Sequence, residues 1–164
     1  MVRDLPHRQF QQRFSTDLNQ LPQVVQWLST AKPADCPETV WQQVNMALIE
    51  GFSNAVRHAH RQLPPETPID VRLALFSQRL QLMIWDWGPP FDLEAALQGR
   101  AQTLQRPDYD PLAQERQWGV QIFLKLRQEF GWRIALGRTE NDRNCLTFEK
   151  QFEAPHRETE VSES

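Results

Sequence analysis

Apolar residues recur along the chain in two rhythms, one of three or four residues and one of two. Leu18, Leu21, Val25 and Leu28 follow the first, which predicts a helix from Ser15 to Ala31, capped by Ser15 or Thr16 and stopped at Lys32-Pro33. Ahead of it, Phe10 and Phe14 share one side of a short edge strand within His7 to Phe14. A second helix is predicted from Glu38 to His60: Pro37 suits its first turn, no proline interrupts it, and Pro64-Pro65 ends it. At about 100° per residue, Val44, Leu48, Gly51, Ala55 and Ala59 fall on one arc, which therefore faces a core. The rhythm then changes to two. Ile69, Val71, Leu73 and Leu75 alternate, Ser77-Gln78-Arg79 turns, and Leu80, Leu82 and Ile84 alternate again, the pattern of a half-buried hairpin.

Gln98 to Gln117 is polar and broken by proline, so it reads either as a lid over a site or as a plain connection. Ile122, Phe123, Leu126 and Phe130 then predict a helix from Gly119 to Phe130. A second hairpin sets Trp132, Ile134 and Leu136 against Leu146 and Phe148 across Glu140-Asn141-Asp142-Arg143. Together these elements predict a single α/β (α+β) two-layer sandwich over residues 1–152. Its mostly antiparallel sheet is covered on one face by three helices, and an acidic tail from 153 to 164 is expected to be disordered.

Charge and composition narrow the function classes. Lysine and arginine number 18 against 21 aspartate and glutamate, a formal net charge of -3, with no basic stripe to suit a nucleic-acid backbone or an anionic membrane. No apolar run approaches the roughly 18 residues of a membrane span, and the N-terminal stretch is polar where a signal peptide is apolar. The expectation is a cytoplasmic protein. Cys36 and Cys145 stand alone, without the spacing of a zinc site or a disulfide framework. His58 and His60 point about 200° apart on a helix and cannot grip one ion together.

Three polar interruptions of the apolar pattern carry candidate chemistry. Glu50, Asn54 and His58 recur every fourth residue, a stripe at the margin of the apolar arc that suits either a pocket mouth or a solvated helix face. Asp86-Trp87-Gly88-Pro89-Pro90-Phe91-Asp92 ends a buried strand. A carboxylate there can accept hydrogen bonds at the bottom of a cleft, although a simple strand-ending turn uses the same residues. Trp118-Gly119-Val120-Gln121 opens a helix, where free N–H groups and the helix dipole favour an anion.

In this order the three signals resemble the GHKL nucleotide-binding superfamily with its Bergerat fold, and within it the bacterial anti-sigma-factor serine/threonine kinases. The likeness runs from about Phe14 to Phe152. It rests on Ala47 to Ala59, on Asp86 to Asp92, which is similar to the Asp-x-Gly-x-Pro-Phe-Asp box of that branch, on Gly119, and on Asn144-Cys145-Leu146-Thr147-Phe148-Glu149-Lys150. The resemblance implies ATP and Mg²⁺ as cofactors. It implies Glu50 as the base that deprotonates a protein hydroxyl, Asn54 as a ligand of Mg²⁺, and Asp86 as the acceptor for the adenine amine. Gly88 would give room for the base, Thr147 would assist from the last strand, Gly119 would offer N–H groups to phosphate, and Arg116 would reach the terminal phosphates from the lid.

As partners the resemblance implies a sigma factor and a STAS-type anti-anti-sigma protein, with a homodimer through the first helix and edge strand. One departure stands out: the superfamily's Gly-x-Gly at the junction of lid and helix is Gly119-Val120-Gln121 here, with Trp118 in front. Beside the kinase, a non-catalytic module that binds its partner stoichiometrically therefore remains an expectation. No P-loop motif and no eukaryotic-type kinase motif occurs.

Overall fold

The structure, a computed structural model, describes residues 4–104 and 118–153. Five strands, β1 (Arg8–Phe14), β2 (Ile69–Leu75), β3 (Arg79–Asp86), β4 (Arg133–Arg138) and β5 (Asn144–Gln151), form one sheet in the order β1-β2-β3-β5-β4, antiparallel throughout. Among the described residues four α-helices complete the fold: α1 (Leu21–Thr30), α2 (Glu38–Asn54), α3 (Leu93–Leu104) and α4 (Trp118–Gln128). Alternation along the strands sends Ile69, Val71, Leu73, Leu80, Leu82, Ile84, Leu146 and Phe148 to one face, where they are buried against Val44, Leu48 and Phe52 of α2. Phe14 meets Trp27 and Phe52 edge-on at ring distances of 6.1 and 5.9 Å, joining β1 and α1 to that core.

The opposite face is polar and cationic. Asp70 sits there between Arg13 and Arg143, each 2.8 Å away, and the Arg72 guanidinium lies 4.9 Å from the centre of the Trp85 ring. No helix among the described residues is long and apolar enough to cross a membrane.

The two-layer sandwich is as expected, and its details differ in four places. First, a 3-10 turn at Leu18–Gln20 precedes α1. Its cap is Asp17, whose carboxylate accepts from the Asn19 N–H at 2.9 Å, while the Thr16 hydroxyl is engaged by the Thr67 carbonyl instead. Second, α2 does not run unbroken to His60. It passes at Ala55–Ala59 into a π turn, in which the His60 N–H reaches back to the Ala55 carbonyl at 2.8 Å. The extra residue in that turn rotates the arc, so that His60 is buried and Ala59 is only half-buried.

Third, α3 is a fourth helix and takes in residues 98–104 of the stretch in which a lid was expected. Its start was legible as a cap: the Asp92 carboxylate accepts from the Ala95 N–H at 3.0 Å. The stretch 105–117 and the tail beyond Glu153 lie outside the described residues. Fourth, Trp132 precedes β4 rather than joining it, and its indole N–H donates to Gln43 of α2 at 2.8 Å.

Candidate functional site

Asp86 closes β3 two residues after Ile84, so the alternation that buries Leu80, Leu82 and Ile84 also turns this carboxylate toward the helices. In register across the ladder stands Asn144, the first residue of β5. Its Nδ2 donates to Asp86 Oδ1 at 2.9 Å and to the Pro89 carbonyl at 3.0 Å, and its Oδ1 accepts from Arg138 at 3.1 Å, which settles the direction of the amide. The Gly88 N–H donates to the same Asp86 Oδ1 at 2.8 Å. Both bonds end on Oδ1, and among the described residues Oδ2 accepts none. The carboxylate therefore keeps one oxygen for a donor arriving from the cavity that it lines.

The turn after Asp86 is anchored from behind. His60 Nε2 accepts the Trp87 N–H at 2.8 Å, so the ring proton sits on Nδ1 and is donated to the Thr16 hydroxyl at 2.7 Å, which in turn donates to the Thr67 carbonyl. Burial holds the His60 pKa below 6.5, and Asp86 pulls weakly the other way. Gly88 lies against the π turn so closely that a Cβ there would stand 2.7 Å from both the carbonyl oxygen and Cβ of Ala59. Its lack of a side chain serves that close backbone approach.

Between β3, β5, α2, α3 and α4 lies a cavity of about 650 Å³, within the range of small-molecule sites. Ile84, Leu136 and Leu146 floor it, and Asn54, Ala55 and His58 line it from the α2 side. Phe91, 56% exposed, stands among its lining residues, with Ala96 and Arg100 from α3 and Val120 and Phe123 from α4. Besides His58, the ionisable side chains among the described lining residues are Asp86 and Arg100, one of each sign. Arg100 is only 4% exposed, and its Nη2 donates to Gln121 Oε1 at 3.0 Å.

The expected site residues thus fall into three groups. Asn54 and Asp86, from different elements, line one cavity together. Glu50 lies one helical turn before Asn54, half-buried and not among the lining residues, and burial raises its carboxyl pKa while Arg57 opposes. Gly119 is the second residue of α4.

One expected site residue faces away from the cavity. Thr147 shares the outer face of the sheet with Cys145, 3.8 Å from its Sγ, because β5 alternates. The side chain that reaches Asp86 from this strand is Asn144. The space a Gly88 side chain would take is filled by the backbone of Ala59, and Gly88 is not among the cavity's lining residues. Trp85, next to Asp86 in sequence, is likewise on the outer face beneath Arg72. Arg116 lies outside the described residues.

Asn144 and Arg100 were missed by sequence reasoning. Strand parity could have found the first: counting in twos from Leu146 and Phe148 selects Asn144 over Thr147. The second carried no local signal.

The catalytic domain of the histidine kinase ThkA, in a nucleotide-free form, is a similar solved structure. It has 18% identity and a TM-score of 0.48 over 87% of this chain and 97% of that one. The SiaB–SiaC complex from Pseudomonas aeruginosa contains another, at 14% identity and a TM-score of 0.44 over 90% and 91%. No curated protein matches the sequence. Residues 14–150 match the family model of the histidine kinase-like ATPase domain, a span that takes in β2, β3 and β4, nearly all of β5, and α1 to α4. The chain belongs to the histidine kinase-like ATPase domain family.

Proposed function

We propose that this domain binds Mg-ATP in the cavity between Asn54 and Asp86 and acts as a serine/threonine protein kinase on a STAS-type anti-anti-sigma protein, holding a sigma factor when that partner is phosphorylated. The observation that carries the nucleotide reading is the half-satisfied Asp86 carboxylate: Oδ1 is taken by Gly88 and Asn144, Oδ2 accepts no hydrogen bond among the described residues, and the residue lines a cavity of about 650 Å³. An exocyclic amine is the donor that such an oxygen suits, and Asn144, locked by Arg138, keeps the carboxylate from turning away.

The residues present also fit a metal-bound triphosphate. Asn54 offers a neutral amide oxygen from the α2 wall, a ligand type that Mg²⁺ accepts alongside phosphate oxygens and water. The ion supplies charge neutralisation at the transferred group. Glu50 stands beside the cavity rather than in it, a place suited to a base that serves a hydroxyl delivered by a second protein. In this reading Glu50 takes the proton as the hydroxyl oxygen bonds to the terminal phosphorus and the bridge to the second phosphate breaks, leaving ADP. Its raised pKa brings it closer to the working pH of a general base. The partner assignment and the sigma factor rest on the likeness of the Asp86 to Asp92 box to the anti-sigma branch. A homodimer would use β1, the strand at the edge of the sheet.

Glu50's absence from the cavity lining and the Gln121 side chain at the helix junction favour a second reading, a binding module without transfer. Incubation with γ-labelled ATP, Mg²⁺ and the STAS-type partner separates the two. The kinase reading expects label in an alkali-labile, acid-stable hydroxyl ester on the partner, lost in Glu50→Ala with nucleotide binding preserved. Tight partner binding without label, or transfer by Glu50→Ala equal to the parent's, would overturn it.

A further inference from the structure

Every described α-helix sends its buried residues to the core on one face of the sheet, which leaves the other face without a covering layer among the described residues. On that outer face, strand register sets Arg13, Asp70 and Trp85 in one row and Gln11, Arg72 and Met83 in the next. Arg143 joins them from the turn between β4 and β5, where its backbone N–H donates to Thr139 Oγ1 at 3.1 Å. Charge in this cluster is unbalanced. The buried Asp70 carboxylate accepts from Arg13 Nε and Nη2 at 2.8 and 3.1 Å and from Arg143 Nη1 at 2.8 Å. Hydrogen bonds from Arg13 hold its pKa below the ordinary value despite burial, and Arg143 adds to them, so Asp70 is ionised. Arg72 brings a further cation with no acidic partner among the described residues: its Nε and Nη2 donate to the neutral Gln11 Oε1 at 3.3 and 3.1 Å. Arg143 Nε is buried without an acceptor. Both guanidinia lie against the Trp85 ring, 4.9 Å from its centre for Arg72 and 5.9 Å for Arg143, and Arg143 is also 5.1 Å from that of Trp87. Three arginines thus stand against one aspartate on an uncovered surface of a chain whose formal net charge is -3.

We propose that the outer face of the sheet, at Arg72 and Arg143, docks an acidic segment of a partner protein, whose carboxylates pair with the two guanidinia while its apolar side chains lie on Met83 and Trp87. Charge complementarity selects this occupant. A guanidinium held against an indole presents its N–H groups as a fixed planar fork, which a carboxylate matches with two parallel bonds. The arginines form no continuous track for a phosphate backbone, because Asp70 and Glu149 share the face with them. The Trp85 ring, only 9% exposed, is not open for a base to stack on. Met83 is half-buried and Trp87 is 42% exposed, an apolar area that suits a protein segment better than a purely ionic ligand. Strand parity sends Arg143 to this face and the next residue, Asn144, to Asp86 on the other, so a partner docked here leaves the cavity open. The inference therefore stands apart from the nucleotide reading.

Calorimetric titration of the full chain, without nucleotide, tests this with an amphipathic peptide rich in glutamate and leucine. Its counterpart with glutamine in place of glutamate, single-stranded oligothymidylate and phosphatidylglycerol vesicles serve as comparisons. The parent is expected to bind the glutamate peptide above all three, with an affinity that falls as salt is raised. Arg72→Glu is expected to weaken that peptide by about tenfold or more, and Arg72→Ala by less in the same direction. Lys125→Glu makes the same change of charge at an exposed position of α4 in the helical layer, and it should stay within about twofold of the parent. Arg143→Ala should repeat the loss from the second guanidinium. Should that variant fail to fold, because it strips a partner from the buried Asp70, Arg72→Glu carries the test alone, since Arg72 has no ion pair to lose among the described residues. A parent that does not bind the glutamate peptide overturns the docking site, as does one that binds oligothymidylate, vesicles or the glutamine peptide as tightly. Equal weakening by Arg72→Glu and Lys125→Glu, the mark of net charge alone, overturns it too. None of these outcomes bears on the kinase reading, which the labelled-ATP experiment decides.

Discussion

Single side chains at this site are defined by which of their atoms are already used. Asp86 and Asn144 each have one group committed to the other, and their geometry is legible in sequence only through strand parity. Asp86 continues the Leu82–Ile84 alternation, whereas Thr147 was named from motif likeness, which ignores the face a residue takes, and it lies on the other face. Replacing Asn54, the proposed ligand of Mg²⁺, by alanine should weaken Mg²⁺-dependent ATP binding by about 1 kcal/mol or more, and equal losses with and without Mg²⁺ would contradict that role.

His60 predicts a pH effect at the same scale. Its pKa is lower in the folded state than its ordinary 6.5, so as pH drops below 6.5 the unfolded chain takes up a proton that the native chain refuses. Stability contributed by the neutral ring is therefore present above pH 6.5, declines below it, and levels off beneath the folded value. Urea unfolding at pH 7.5 and 5.5 should show the parent losing more stability on acidification than His60→Gln. A protonated Nε2 could not accept the Trp87 N–H, so the same acidification should loosen the turn that carries Asp86.

At the scale of elements, the sandwich and both hairpins could be read from periods of two and of three to four, because each strand buries one face and each long helix one stripe. What escaped had weak periodicity or broke it. α3 carries three leucines, Leu93, Leu97 and Leu104, and otherwise alanine, glycine and polar residues, so its apolar stripe is thin, and its start is marked by the Asp92 cap. The π turn after α2 has no sequence signature, and an ideal 100° wheel therefore misplaced Ala59 and His60.

Two glycines show how tightly the elements meet. At Gly51 a Cβ would stand 2.5 Å from Ile84 Cδ1, the movable tip of a side chain, and alanine gains helix propensity of about 1 kcal/mol in compensation. At Gly88 the obstruction includes the carbonyl oxygen and Cα of Ala59, at 2.7 and 2.9 Å, which cannot move without the π turn. Gly88→Ala should accordingly cost about 1–3 kcal/mol of stability and more than Gly51→Ala, as chemical denaturation of the two variants will show. Because the Gly88 N–H also holds Asp86 Oδ1, only the variant at 88 should lose nucleotide affinity beyond its loss of stability.

For the whole molecule, the cavity is the place where its layers meet: β3 and β5 floor it, α2 walls it, and the α3–α4 pair faces them. α3 and α4 are bound to each other by Glu94–Arg127 and Arg100–Gln121, and Arg127 also reaches the Ile134 carbonyl of β4. A ligand touching Asp86 and Asn54 together would bridge β3 and α2. Any such ligand stabilises the native state by mass action, by about 2.7 kcal/mol at a hundred times its Kd. For a domain of this length that corresponds to a rise in melting temperature of roughly 5–10 °C.

Mg-ATP should therefore raise the melting temperature in a concentration-dependent way, and Asp86→Ala, which removes the acceptor proposed for the base, should abolish the rise at the same ligand concentration. Trp87, 42% exposed beside Asp86 and 5.1 Å from the Arg143 guanidinium, offers an independent optical report in the same titration. A melting temperature indifferent to Mg-ATP at millimolar concentration, with flat tryptophan emission, would mean that the layers close on something other than a nucleotide.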